Sequence, residues 1–168
     1  MNARNFTYTS AQSRSLVIAL SAVLLVESTV MHLWIASQHP LIAWTLTATS
    51  LATLLWFWYD SVRFARGVIR VDDTSMIIAM GGRWNGTVPR ALIVSATRPI
   101  WQDVPAAGTD AAKDYANLTR PADPNVLVVL REDVALRVFG LATKNVRRIG
   151  CHLDAPDEFV RLITTATT

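Results

Sequence analysis

The chain has 168 residues, of which 51% are hydrophobic and 17% charged, with a formal net charge of +3. A composition so apolar excludes an ordinary soluble domain and an intrinsically disordered chain. From Gly67 onward twelve Lys or Arg stand against eleven Asp or Glu, so the second part of the chain is nearly neutral and gives no ground for a nucleic-acid partner.

Residues 1–14 read as a polar N-terminal tail, expected to be loosely ordered, with Phe6 and Tyr8 free to dip into a membrane interface. Two apolar runs follow, LVIALSAVLLVESTVMHLWI and LIAWTLTATSLATLLWFWY, separated only by Ala36-Ser-Gln-His-Pro40. As helices rising ~1.5 Å per residue, each run spans about 30 Å, the thickness of a bilayer's hydrocarbon core. The short link predicts an antiparallel transmembrane hairpin over residues 15–66. Arg4 and Arg14 also suit a signal peptide, but the first run continues through Leu33, Trp34 and Ile35 without an Ala-x-Ala-like site. Trp34, Trp44, Trp56, Trp58 and Tyr59 fall near the ends of the runs, where amphipathic rings favour headgroups. Arg4 and Arg14 precede the first run, Arg63, Arg66 and Arg70 follow the second, and the turn carries no Lys or Arg. Both termini are therefore expected in the cytoplasm. Arg63, Arg66 and Arg70 are candidate lipid-headgroup contacts.

Glu27 interrupts the first run. An ionisable group in mid-span costs about 2.5 kcal/mol or more, which makes it a candidate functional residue. Three readings fit: packing against the hydroxyls of Thr45, Thr49 and Thr53, which recur on one face of the second run; contact with another membrane subunit; or a proton relay. His32 lies about 140° around the helix from Glu27, and the second run offers no His or Cys, so no metal or haem site is expected.

After Gly67 the hydrophobic period changes from helical to alternating, with turn residues at short intervals. Strands are predicted at 68–71, 75–80, 83–88, 93–97, 125–130, 134–139 and 147–152. Asp72-Asp73-Thr74, Gly81-Gly82 and Arg131-Glu-Asp133 read as hairpin turns. Residues 98–124 break this rhythm with Pro99, Pro105, Pro121 and Pro124. A connection of that length in a compact domain is functional or disordered; 110–118 is expected to hold a short helix, and Trp101 and Tyr115 are candidate partner contacts. Asp154 reads as the N-cap of a terminal amphipathic helix carrying Phe159, Val160, Leu162 and Ile163. The expected fold class is α+β: a transmembrane α-hairpin, then an antiparallel β domain over 67–168 with a C-terminal helix.

The arginine-rich exit from the second run, Val68-Ile-Arg-Val-Asp-Asp-Thr-Ser-Met-Ile-Ile at the start of the β region and Arg147-Arg-Ile-Gly-Cys-His-Leu-Asp-Ala-Pro-Asp-Glu-Phe at its end carry a resemblance. In this arrangement over roughly residues 15 to 165 the chain resembles the membrane-anchored bacterial pleckstrin-homology-like proteins. The long 98–124 connection departs from their pattern. The resemblance implies a PH-like barrel or sandwich of about seven strands, residence in the bacterial inner membrane, and a role as an interaction or assembly module. The same fold elsewhere binds phosphoinositides or peptides. Phosphoinositide binding is not expected here, because Asp72 and Asp73 occupy the first hairpin, where Lys or Arg would be needed to hold phosphates.

Cys151, His152 and Asp154 lie close in sequence, but adjacent strand residues point to opposite faces, and no nucleophile motif, Gly-rich phosphate loop or paired-cysteine metal motif is present. No enzyme activity and no cofactor are expected. The resulting expectation is a membrane-anchored, non-catalytic interaction module, with a membrane-protein partner or a second copy of itself, that helps assemble or regulate a membrane complex. The alternatives are a lipid-binding sensor at the membrane surface and a small transporter subunit using Glu27.

Overall fold

In the computed structural model, residues 3–8, 11–106 and 108–165 are described, the side chains of 11–14 and 101 excepted. The apolar runs form α1 (Ala11–Ala36) and α2 (Pro40–Ala65), each of 26 residues. Both are long and apolar enough to cross a membrane. Their side chains are apolar all round and largely exposed, including Leu33, Leu41 and Leu55, each more than 70% accessible. A helix pair that displays its leucines outward suits a lipid solvent better than water. Pro40 opens α2 in the first turn, where its missing N–H leaves no bond unmade.

Interhelical bonds among the described residues clip α1 to α2. Near the turn, His32 Nδ1 bonds Thr47 Oγ1 at 2.8 Å and the imidazole meets Trp44 edge to face at 4.9 Å. Toward the other end, Trp58 Nε1 donates to Ser21 Oγ at 2.9 Å, and Ser21 in turn donates to the Val17 carbonyl.

The β unit contains β1 (Arg4–Thr7), β2 (Val68–Val71), β3 (Ser75–Met80), β4 (Trp84–Pro89), β5 (Ile93–Thr97), β6 (Tyr115–Asn117), β7 (Val126–Val138) and β8 (Ala142–Cys151), closed by α3 (Pro156–Thr164). Its strands form one mixed, open sheet in the order β1-β2-β3-β4-β7-β8-β6, with β5 paired to β7. β7 is the corner. Its first half pairs with β5 and its last residues pair with β4, so the sheet folds over itself around Met76, Ile78, Val128, Leu136 and Ile149, all buried. α3 lays Phe159 and Ile163 into the same core. That apolar side chains of the sheet and of one helix face share a single core follows from their alternating and helical periods.

Several sequence expectations change. The N-terminal tail is not loose over 4–7: it forms β1, antiparallel to β2 with Phe6 opposite Ile69. Phe6 and Tyr8 are buried in the β core instead of being free for a membrane interface. Phe6 meets Phe159 edge to face at 5.0 Å, and Tyr8 stands between Phe64 and His152. One buried aromatic flanked by exposed polar residues in so short a strand leaves too little pattern to read. Arg131-Glu-Asp133 is not a turn but lies inside β7, where the register with β8 shifts; the local irregularity exposes all three polar side chains without ending the strand. The true hairpin lies at Phe139-Gly140-Leu141. Residues 110–118 hold one 3-10 turn and β6 in place of a helix. Asp154 does not cap α3; its carboxylate accepts from Thr7 Oγ1 at 2.6 Å and its N–H donates to the Thr7 carbonyl, tying α3's approach to β1.

Because Phe6 is a core residue, Phe6→Ala should lower the unfolding free energy by about 3 kcal/mol, the usual loss for emptying a buried aromatic site. Denaturant unfolding of the full chain in detergent measures it; a silent substitution would mean that the tail is not part of the core.

Candidate functional site

β6 ends the path of paired strands, and its geometry follows from how it is tied to β8. Arg148 N–H donates to the Asp114 carbonyl and Leu118 N–H to the Gly150 carbonyl, at 3.0 and 2.9 Å. With the two-residue period of a strand, the backbone groups of 114, 116 and 118 then turn toward β8, and those of Tyr115 and Asn117 turn away. Lys144 Nζ donates to the outward Tyr115 carbonyl at 2.7 Å. Arg148 fixes the start of β6 through Asp114 at 2.7 Å. This bond to the guanidinium holds the Asp114 carboxyl below its ordinary value of 3.8.

Beside β6 lies a cleft of 270 Å³ lined by Trp84, Pro105, Tyr115, Asn117, Arg120 and Lys144 among others. Its aromatic wall is the half-buried Trp84, and its cations are Lys144, held by β6, and the exposed Arg120. Asn117 is committed internally: its Oδ1 accepts from the Thr119 N–H and its Nδ2 donates to the Ala122 carbonyl. A strand edge, an aromatic wall and an exposed cation thus meet at this cleft. Trp84 and Arg120 were not singled out as a pair by sequence, since thirty-five positions of chain separate them; only the fold of β7 brings them together.

The predicted site residues do not converge. Tyr115 is buried, with 5% of its surface accessible and a hydroxyl that has no hydrogen-bond partner; burial pushes its phenol up to about 12. It shapes the cleft floor and does not project. Trp101 begins a short 3-10 turn in the 98–124 segment, and its side chain lies outside the described residues. Arg63, Arg66 and Arg70 are all exposed, Arg63 and Arg66 at the end of α2 and Arg70 on β2.

Glu27 is exposed on α1. The hydroxyls of Thr45, Thr49 and Thr53 donate instead to the carbonyls of Leu41, Thr45 and Thr49 along α2. Each of these hydroxyls thus has an intrahelical acceptor four residues back.

The Cys151, His152 and Asp154 neighbours are also apart in role. Cys151 is buried and its thiol is pushed up to about 12 by burial alone, which makes it an inert core residue. His152 Nδ1 bonds the Asp123 carbonyl and Asp154 holds Thr7. Among the described residues no group of three or more His, Cys, Asp or Glu gathers as metal ligands would. At the first hairpin, Asp72 accepts the N–H groups of Thr74 and Ser75 at 2.9 and 2.6 Å, which hold its carboxyl below its ordinary value. It is a turn-forming acceptor. Arg90 reaches back to the Asp72 carbonyl and to the Leu162 carbonyl, joining this turn to α3.

Searches against protein-family models, curated proteins and solved structures find no match to the chain.

The lowered carboxyl of Asp114 makes its bond to Arg148 pH-dependent. Ionised Asp114 stabilises the folded state above pH 3.8, and that contribution disappears as the pH falls through the lower folded value. Asp114→Asn should cost about 1 kcal/mol at neutral pH, as expected for a half-exposed pair. In acid titrations of unfolding the gap between variant and parent should close below pH 3.8.

Proposed function

We propose that the protein is a membrane-anchored, non-catalytic interaction module whose helix pair crosses the bacterial inner membrane and whose β unit works at the cytoplasmic face. Its partner is another membrane protein or a second copy of the chain, and its task is to help assemble or regulate that complex. The arginines flanking the helix pair support the orientation. So does the pairing of β1 with β2, since a sheet formed by the segments before α1 and after α2 needs both on one side of the membrane. The bent sheet with a closing helix is compatible with the pleckstrin-homology-like reading, and the cleft beside β6 offers a place for an extended peptide segment.

The observation that carries the partner reading is Glu27. Its side chain is exposed and is the one acidic group in the apolar run of α1, and the hydroxyls of Thr45, Thr49 and Thr53 on α2 donate to their own backbone. A carboxyl facing lipid at mid-span costs roughly 2.5 kcal/mol or more, whereas a hydrogen-bond donor on a neighbouring subunit's helix removes that cost. Two helices alone also enclose no pore, which places transport behind association.

A photo-reactive residue in place of Val23, one helical turn from Glu27 and exposed on α1, tests this in native membranes. It should give a discrete adduct, and Glu27→Leu should reduce that adduct several-fold while leaving the protein's abundance unchanged. An adduct indifferent to Glu27, or none, would count against the partner reading.

A further inference from the structure

The β7–β8 hairpin tip is chemically out of place for a turn in water. The turn from Val138 to Leu141 is closed by Leu141 N–H donating to the Val138 carbonyl at 3.1 Å, and both central residues have positive φ, 51° at Phe139 and 70° at Gly140. Asn-Gly or Asp-Gly is the usual solution for that geometry, because short polar residues tolerate the left-handed region. Here an aromatic residue occupies it, a conformation uncommon for a bulky side chain. Phe139 is 58% and Leu141 95% accessible, the latter the most exposed large hydrophobic residue described. A Cβ added at Gly140 would touch nothing within 4 Å, so the tip projects clear of the β unit.

Its neighbours identify what it faces. Phe139 N–H donates to the Arg83 carbonyl at 2.9 Å, and the Arg83 guanidinium lies over the Phe64 ring, 4.4 Å from its centroid. Gly81, in the same β3–β4 turn, has φ of 61° and lies so close to the end of α2 that an added Cβ would come within 3.0 Å of the Arg63 carbonyl and Phe64 backbone. Arg83 therefore links the backbone of the tip to Phe64, near the end of α2. The cations next to it are Arg83, which the tip's backbone contacts, and Arg137 on β7, and from Val134 to Leu153 the chain carries no Asp or Glu.

We infer that Phe139 and Leu141 dip into the headgroup–acyl boundary of the bilayer, giving the β unit a third attachment beside its two covalent ones, with the surrounding arginines meeting anionic headgroups. This rests on the reading that α1 and α2 span that bilayer. Exposed apolar side chains flanked by cations are the composition of an interfacial anchor. They would hold one face of the β unit against the membrane and thereby fix which of its surfaces, the β6 cleft included, remains open to a partner.

The test uses the full chain reconstituted in vesicles of phosphatidylethanolamine and phosphatidylglycerol. Because the single native Cys151 is buried, a polarity-sensitive fluorophore can be placed selectively at Leu141→Cys, at Leu51→Cys within α2 and at the exposed Asp110→Cys. Leu141→Cys should be blue-shifted and quenched several-fold more by nitroxides near the lipid headgroup than by aqueous iodide, with Asp110→Cys showing the reverse. If Leu141→Cys behaves as Asp110→Cys does while Leu51→Cys is quenched by deep lipid nitroxides, the third attachment is wrong and the spans stand. A blue shift at Leu141→Cys without lipid quenching would show the tip covered by protein and would overturn the inference equally. If Leu51→Cys shows no lipid quenching, the spanning reading fails and takes the inference with it.

Discussion

The pairing of β1 with β2 is the constraint on which the rest of the molecule depends. These strands lie on either side of the helix pair in sequence, yet they are antiparallel neighbours with Arg4 opposite Val71 and Thr7 opposite Val68. The chain leaves the sheet, runs through α1 and α2, and returns to the same edge. Closing so long an excursion carries an entropic cost that grows only slowly with length, and the short link between the helices shortens the effective loop further. In return β1 brings Phe6 and Tyr8 into the core, joins α3 through Asp154 and through the Arg4 to Glu158 ion pair, and covers an edge of β2 that would otherwise be free to pair with another chain.

That arrangement separates the surfaces available for function. With β2 covered by β1, β6 is the terminal strand at the opposite end of the strand path, beside the cleft lined by Trp84, Arg120 and Lys144. The groups that looked reactive in sequence serve the fold: Asp72 forms a turn, Cys151 fills core volume and His152 bonds a carbonyl. Two features stay chemically out of place, Glu27 on α1 and the exposed Phe139 and Leu141 side chains of the β7–β8 turn, and both are apolar-environment problems. One is a carboxyl in a hydrophobic stretch and the other a hydrophobic pair at a water-exposed turn. On the proposed reading the membrane and a neighbouring subunit resolve both.

How much of this could be read from sequence depended on where the deciding interaction lay. The helix pair was legible as two apolar runs, though α1 starts at Ala11, inside the expected tail, and β2, β3 and β5 were legible with their limits, because apolar runs and period-two alternation are local signals. β1 was not, since four residues with one buried side chain become a strand only when β2 is there to receive them. β6 was hidden for a similar reason, although Tyr115 and Leu118 were already too apolar for a solvated loop. The misplaced hairpin has a specific cause: Arg131-Glu-Asp133 has the composition of a turn and Phe139-Gly140-Leu141 does not, so composition chose the irregular middle of β7 over its end. No sequence signal joined Trp84 to Arg120. The one available clue to the tip was its failure to look like a turn.

The β1–β2 pairing can be tested in the native membrane by disulfide cross-linking. Asn5→Cys and Arg70→Cys place thiols on directly opposed, exposed positions of the two strands, while Asn5→Cys with Ile77→Cys places them two strands apart. The first pair should oxidise rapidly and nearly completely, because opposed strand positions meet the distance a disulfide requires, and the second should not. Equal, slow oxidation of both pairs would show that the N-terminal segment does not join the sheet, and the account of a helix pair closed by its own flanking strands would be wrong.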